Sequence, residues 1–137
     1  AAVIYGSPYV TTDVDMVPDL DEGNMARLSE ALRALRARVW TASDPEGLPF
    51  EHTAVSLSDV AAWNLVTDFG RMDLMFVPDG TSGYADLARD AVRLTILGAT
   101  VDVASLADVI RSKEASNRDK DRLVLPVLRR LLDEGAG

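Results

Sequence analysis

Residues 11–18 read Thr-Thr-Asp-Val-Asp-Met-Val-Pro, and this stretch decides the fold prediction. The alternation of acidic and apolar residues predicts a β-strand, with Asp13 and Asp15 on one face and Val14 and Met16 facing a core. Two carboxylates on one face repel each other unless a positive charge lies near them, and oxygen ligands suit Mg²⁺. The stretch therefore predicts a metal-binding strand or, in the simpler interpretation, a strand edge at which Asp13 caps a turn.

A third carboxylate stands in a second predicted strand. Residues 69–78 read Phe-Gly-Arg-Met-Asp-Leu-Met-Phe-Val-Pro and place Asp73 among apolar residues. If the two strands pair, Asp73 comes next to Asp13 and Asp15. Three carboxylates around one or two Mg²⁺ ions suit phosphoryl or nucleotidyl transfer. A solvent-facing Asp73 on an edge strand is the alternative, and composition and periodicity leave both open.

Length and composition narrow the class of protein. A chain of 137 residues, nearly half of them hydrophobic, is sufficient for one folded domain with one core. It has no cysteine, which excludes disulfides and thiolate metal sites, and its lone His52 is predicted to be solvated in a polar loop. The sequence contains no secretory signal and no apolar run near ~20 residues, so we expect a soluble cytoplasmic protein without a membrane partner. A net charge of −8 argues against a generic nucleic-acid binder.

The hydrophobic pattern alternates between strand and helix periods, which predicts an α+β fold with a mixed sheet. Strands are predicted over 13–17, 39–41, 61–67, 71–77, 92–97 and 100–103. Helices are predicted over 22–37, 84–91, 105–116 and 119–133, a helix end over 1–6, and a loop over 43–49. The apolar residues of the last helix cover more than one face, which is typical of a deep core position or of a homodimer interface.

Two blocks of sequence resemble one family. Residues 5–18, Tyr-Gly-Ser-Pro-Tyr-Val-Thr-Thr-Asp-Val-Asp-Met-Val-Pro, are similar to the start of small bacterial nucleotidyltransferases of the DNA polymerase β-like superfamily, which includes abortive-infection toxin-type members. Residues 106–121, Leu-Ala-Asp-Val-Ile-Arg-Ser-Lys-Glu-Ala-Ser-Asn-Arg-Asp-Lys-Asp, resemble a block near the end of those proteins. The resemblance extends from residue 1 to about residue 132.

The chain departs from the family pattern at two places. Gly6-Ser7 lies too close to Asp13 to be the usual first glycine motif, so the resemblance implies a Gly-Gly motif and a strand upstream of Ala1. Tyr9 stands where the group often has arginine, which removes a cation near the nucleotide. The backbone N–H groups of the missing motif would bind the triphosphate, so its absence would weaken nucleotide binding.

The resemblance implies a single nucleotidyltransferase-like domain over residues 1–137, with a twisted mixed sheet and helices mainly on one side. It implies that Asp13, Asp15 and Asp73 are the metal ligands and catalytic residues, and that Asp73 activates an acceptor hydroxyl. Lys113 would neutralise charge on the triphosphate. Asp121 would orient Lys113 or take a proton from the acceptor; alternatively it is only an acidic residue in the first turn of a helix.

Ser7 and Thr12 are two further candidates near the first block, either as phosphate ligands or as turn caps, and capping is the better interpretation for both. The implied cofactor is Mg²⁺ and the implied donor is an NTP. The implied acceptor is a tRNA, a protein or a small molecule, and a cognate antitoxin is an implied partner. The competing hypothesis is a catalytically degenerate domain that binds a nucleotide or a protein.

Overall fold

Strands and helices alternate along the chain, and the α+β class with a mixed sheet is confirmed. The computed structural model describes residues 1–135. They divide into two compact units. The central unit is Thr12–Val77, and the terminal unit is Ala1–Thr11 together with the described part of Pro78–Gly137. That residues 1–137 form one domain stays a prediction.

The central unit is built on a five-stranded sheet. Its elements in chain order are β1 (Asp13–Met16), α1 (Glu22–Ala34), β2 (Arg38–Thr41), β3 (Asp44–Leu48), α2 (Ala54–Ser58), β4 (Ala62–Thr67) and β5 (Gly70–Met75). The strand order is β1-β5-β4-β2-β3. The sheet is mixed because β1 runs parallel to β5, whereas the other neighbours are antiparallel.

One face of this sheet carries the core of the central unit. Leu65 of β4 pairs with Met72 of β5, and both side chains are buried together with Leu74. Leu32 of α1 and Leu57 of α2 are fully buried in the same cluster. Both helices of this unit therefore pack on one face of the sheet, and the opposite face carries polar side chains such as Asn64 and Asp73. That the helices of the whole chain lie mainly on one side of a sheet stays a prediction.

Both ends of α1 are set by contacts between residues close in sequence. The Asp21 side chain accepts a hydrogen bond from the Asn24 backbone N–H at 3.1 Å and caps the helix, which begins at Glu22 as predicted. The helix ends at Ala34, three residues before the predicted end, because Arg36 adopts a left-handed φ of 54°. The Ala37 N–H then reaches back to the Leu32 carbonyl at 2.9 Å, which is a Schellman ending.

The prediction of a loop over 43–49 is wrong, because this segment forms β3 at the edge of the sheet. The segment contains proline and glycine, which are typical of a loop and not of a strand. Pro45 cannot donate to a ladder but is tolerated on an edge strand, and Gly47 has a φ of +88°. The short helix α2 also lacks a clear periodic signal and is stabilised by a capping box between Thr53 and Ser56.

The strand β1 and the direction of its apolar side chains are confirmed, but the prediction that these side chains are buried in a core is wrong. Val14 pairs with Met72 and Met16 pairs with Leu74, so both lie on the core face. They are nevertheless 61% and 44% exposed. The reason is position, because β1 is the edge strand and the buried cluster lies beneath β4 and β5.

The terminal unit contains α3 (Tyr84–Ala88), the hairpin β6 (Val92–Ile96) and β7 (Ala99–Val103), α4 (Leu106–Ser116) and α5 (Asp119–Asp133). The predicted hairpin and both long helices are confirmed, and Ser105 caps α4 by accepting from the Asp108 N–H at 3.1 Å. Residues 1–6 form successive turns and not a regular helix, but they end at Gly6 (φ 98°) as a helix does, because the Ser7 N–H bonds to the Ala2 carbonyl at 3.1 Å.

The long apolar face of α5 forms the core of the terminal unit. Val124, Leu125 and Leu128 are buried against Leu106 and Ile110 of α4. Two leucines of α5 point outward, since Leu123 is 63% exposed and Leu132 is 37% exposed. Packing in the core therefore explains the apolar residues on one side of α5. That the protein forms a homodimer stays a prediction.

Candidate metal centre on the central sheet

Three carboxylates meet on the polar face of the central sheet. Asp13 and Asp15 alternate with apolar residues on β1, and the parallel register pairs Asp15 with Asp73. Residues that pair across neighbouring strands share a face, so all three side chains project together. One carboxylate oxygen from each of the three lies within 4.8 Å of the others. The sequence prediction that Asp73 comes next to Asp13 and Asp15 is therefore confirmed.

The donor set fits a hard divalent cation. Mg²⁺ takes oxygen ligands at about 2.0–2.1 Å and Ca²⁺ at about 2.3–2.6 Å, so ligand oxygens of one ion lie up to ~4–5 Å apart. The separation of the three aspartate oxygens is in this range. Asp13 and Asp73 are half-buried, whereas Asp15 is exposed, which leaves one side of the group open to solvent.

Arg71 supplies positive charge beside the three aspartates. It pairs with Asp13 in the sheet register, and its Nη2 atom lies 4.0 Å from Asp73 Oδ1. Its guanidinium stacks on the ring of Trp40, with the Cζ atom 3.7 Å from the centroid. Arg71 Nε is buried and makes no hydrogen bond within residues 1–135.

Sequence reasoning missed Arg71, although the signal was present. Arg71 stands two residues before Asp73 on the same strand, so strand alternation places both side chains on one face. Its stacking partner is Trp40. Trp40 lies half-buried on β2, a strand that is not adjacent to β5, and no local pattern predicts that contact.

Lys113 and Asp121 lie in the terminal unit, where they form an ion pair. Lys113 Nζ is 3.1 Å from Asp121 Oδ1, and Arg118 Nε is 2.7 Å from Asp121 Oδ2. The Asp121 side chain is completely buried. Burial raises the pKa of this carboxyl, but the hydrogen bonds and charges of Arg118 and Lys113 outweigh it and lower the pKa to about 2. Asp121 therefore stays ionised and is better suited to orient Lys113 than to accept a proton.

Ser7 and Thr12 differ in their surroundings. Ser7 is buried in the terminal unit, and its hydroxyl oxygen accepts a hydrogen bond from the Tyr9 backbone N–H at 3.4 Å. This contact favours turn capping over phosphate binding, as the sequence suggested. Thr12 is exposed immediately before β1, next to Asp13. Turn capping by Thr12, the favoured interpretation, and phosphate binding, the alternative, both stay predictions.

The prediction that His52 is solvated is wrong. His52 is only 7% exposed, and its Nδ1 atom lies 2.8 Å from the Ser29 hydroxyl. Burial and the nearby charge of Arg33 lower the pKa of His52 below its usual range. The short polar segment around it gave no periodicity from which burial could be predicted.

Comparisons with known proteins add no family to this picture. No model of a known protein family matches the chain, and no curated protein matches it significantly. Of the helices within residues 1–135, none is both long enough and apolar enough to cross a membrane.

Proposed function

We propose that this protein is a Mg²⁺-dependent nucleotidyltransferase that moves a nucleoside monophosphate from an NTP to an acceptor hydroxyl. The observation that carries the proposal is the convergence of Asp13, Asp15 and Asp73, with carboxylate oxygens within 4.8 Å, on one face of a mixed sheet. The resemblance of the two sequence blocks to small nucleotidyltransferases supports the same activity.

The three aspartates have different roles in the proposed reaction. Asp13 and Asp15 stand on one strand and would hold the cation together with Asp73. The Asp73 side chain is only 17% exposed, and in this proposal it takes the proton of the acceptor hydroxyl. The hydroxyl oxygen then forms a bond to the α-phosphorus, the bond from that phosphorus to the bridging oxygen breaks, and pyrophosphate leaves. Bound Mg²⁺ supplies positive charge for the phosphates in this chemistry.

Neutralisation of the triphosphate by Lys113 stays a prediction and has its own test, since Lys113→Gln should reduce transfer while Asp13, Asp15 and Asp73 still bind the cation.

The acceptor is a tRNA, a protein or a small molecule in the cytoplasm. For a toxin-type member we expect a small antitoxin gene beside the coding sequence.

A catalytically degenerate domain is the second candidate, and Arg71 favours it. A guanidinium 4.0 Å from Asp73 offsets part of the carboxylate repulsion, so the acidic group is tolerated without a metal ion. In that case the face would bind a nucleotide or a protein without transferring a phosphoryl group.

Metal binding is tested first, without an acceptor. Mn²⁺ replaces Mg²⁺ at oxygen sites, and electron paramagnetic resonance counts the bound ions. We expect saturable binding to the unaltered protein and at least tenfold weaker binding to Asp15→Asn. Asp59→Asn is the matched control, because this exposed aspartate ends α2, which packs on the opposite sheet face. Equal binding by Asp15→Asn and the unaltered protein would contradict the proposal.

Transfer is tested with α-³²P-labelled NTPs, Mg²⁺ and a total tRNA and protein extract. We expect label from one NTP to join a macromolecule, and Asp73→Asn to abolish it while thermal unfolding stays similar. Metal binding without transfer from any NTP would favour the degenerate domain.

A further inference from the structure

The central unit also carries a positively charged cavity. Its lining residues stand apart in the sequence from the three aspartates. A cavity of about 270 Å³, broadly open to solvent, is lined by Arg33, Arg36, Arg38 and His52, with apolar side chains around them. None of the described residues that line it is acidic. Three arginines around one cavity contrast with the net charge of −8 for the whole chain.

The arginines are held in place by contacts on one side of the cavity. Arg38 donates to the Glu46 carbonyl at 2.7 Å and the Arg36 carbonyl at 2.7 Å. Arg36 and Arg38 share Asp68, at 3.3 Å and 3.1 Å. Because Asp68 offers one carboxylate to two of the three guanidinium groups, the cluster keeps a local excess of positive charge.

Arg33 and His52 form another wall of the cavity. Arg33 donates to the His52 carbonyl at 2.6 Å, a contact that uses one of the five N–H donors of its guanidinium. The His52 ring is held by Ser29 and packs on Phe50, with ring centroids 4.7 Å apart. This wall is therefore ordered before any ligand arrives, which reduces the entropic cost of binding.

The backbone at Arg36 provides independent support. Its φ of 54° is the left-handed C′ position at which helices usually place glycine. A non-glycine residue is strained there, and such strain concentrates at functional positions. Glycine would satisfy the backbone but would remove one of the three cations from the cavity.

We propose that this cavity binds a phosphate monoester or inorganic phosphate. Arginine guanidinium groups match phosphate oxygens in geometry and charge. The volume far exceeds the roughly 10–15 Å³ that one water needs, and it lies just below the roughly 300 Å³ of small-molecule pockets, so a phosphate group fits. The proposal is independent of nucleotidyl transfer, because it uses none of the three aspartates.

His52 reports directly on the cavity, since it is the one histidine of the chain and gives a single imidazole Hε1 signal in proton NMR. Sodium phosphate and phenyl phosphate are titrated at constant pH and at ionic strength balanced with sodium chloride. We expect a saturable displacement of the signal. We also expect binding to raise the pKa of His52, because the anion offsets the charge of Arg33.

Substitutions distinguish a specific phosphate site from general screening of charge by ions. Arg36→Gln should weaken phosphate binding roughly tenfold or more, as expected for a lost charge-assisted hydrogen bond. Arg93→Gln makes the same charge change on an exposed arginine of β6 and should leave the affinity unchanged. Arg36→Gly should also lose binding while it relieves the left-handed strain, so a folding defect cannot imitate the result. A linear displacement matched by sodium chloride, or equal affinity in Arg36→Gln, would overturn the proposal.

Discussion

At the scale of single residues, Asp121 is the buried charge on which the terminal unit depends. Replacing it by asparagine keeps the volume but leaves Lys113 and Arg118 without their carboxylate. Breaking a fully buried pair costs about 3–5 kcal/mol, and the partial exposure of both partners reduces this. We expect Asp121→Asn to lower the free energy of unfolding by about 2–3 kcal/mol in urea titrations.

The matched control stands two residues earlier in the same helix turn. Asp119 is 95% exposed and pairs with Arg122 at the surface. Exposed pairs contribute little, so Asp119→Asn should change the free energy of unfolding by less than about 1 kcal/mol. Equal losses for the two variants would mean that burial does not strengthen the Asp121 ion pairs.

The same carboxyl predicts a pH dependence with a definite sign. Its pKa falls from 3.8 to about 2 on folding, so the unfolded chain binds the proton more readily. The stabilisation is therefore fully present above the unfolded pKa and is lost as the pH falls toward the folded pKa. The stability difference between the unaltered protein and Asp121→Asn should shrink between about pH 4 and pH 2. A constant difference across that range, measured by urea unfolding, would contradict the assignment.

At the scale of elements, the edge strand β3 depends on a close approach at Gly47. A Cβ atom there would lie 2.6 Å from Val66 Cγ1 and 2.7 Å from Arg38 Cβ, at a φ of +88°. Arg38 Cβ is attached directly to the backbone and cannot move aside cheaply. Gly47→Ala should therefore both strain the backbone and force β3 away from its neighbours.

Gly98 separates these two effects, because its φ of +84° is nearly the same and nothing lies within 4 Å of its Cβ position. Gly98→Ala should lower the free energy of unfolding by about 1 kcal/mol, from the backbone alone. Gly47→Ala should cost about 1–3 kcal/mol more, in the range of overpacking. Similar urea midpoints for the two variants would argue against the close packing of β3.

At the scale of the whole molecule, a net charge of −8 causes self-repulsion that salt screens. We expect the thermal midpoint to rise with KCl. At equal ionic strength, MgCl₂ should raise it by several further degrees, because a ligand at ~100 times its dissociation constant adds about 2.7 kcal/mol. Asp15→Asn should lose the additional rise and keep the KCl effect. Identical midpoints in KCl and MgCl₂ would show screening alone.

Local patterns in the sequence were sufficient for much of the fold. Alternation predicted β1, β4, β5 and the hairpin β6–β7, since side-chain direction in a strand depends only on position. The predicted helix starts near residues 22 and 105 are also local, because the caps Asp21 and Ser105 bind backbone groups a few residues away. The acidic face of β1 was predicted for the same local reason.

Long-range pairing decided the rest. The parallel register of β1 and β5 places Arg71 as well as Asp73 with the two aspartates of β1, and the strand order leaves Val14 exposed at the sheet edge. The burial of His52 likewise depends on Ser29, a residue of a distant helix. By itself the sequence determined which residues share a face of each element. Only the tertiary structure decided which faces meet and which are covered, because these depend on contacts between segments far apart in the chain.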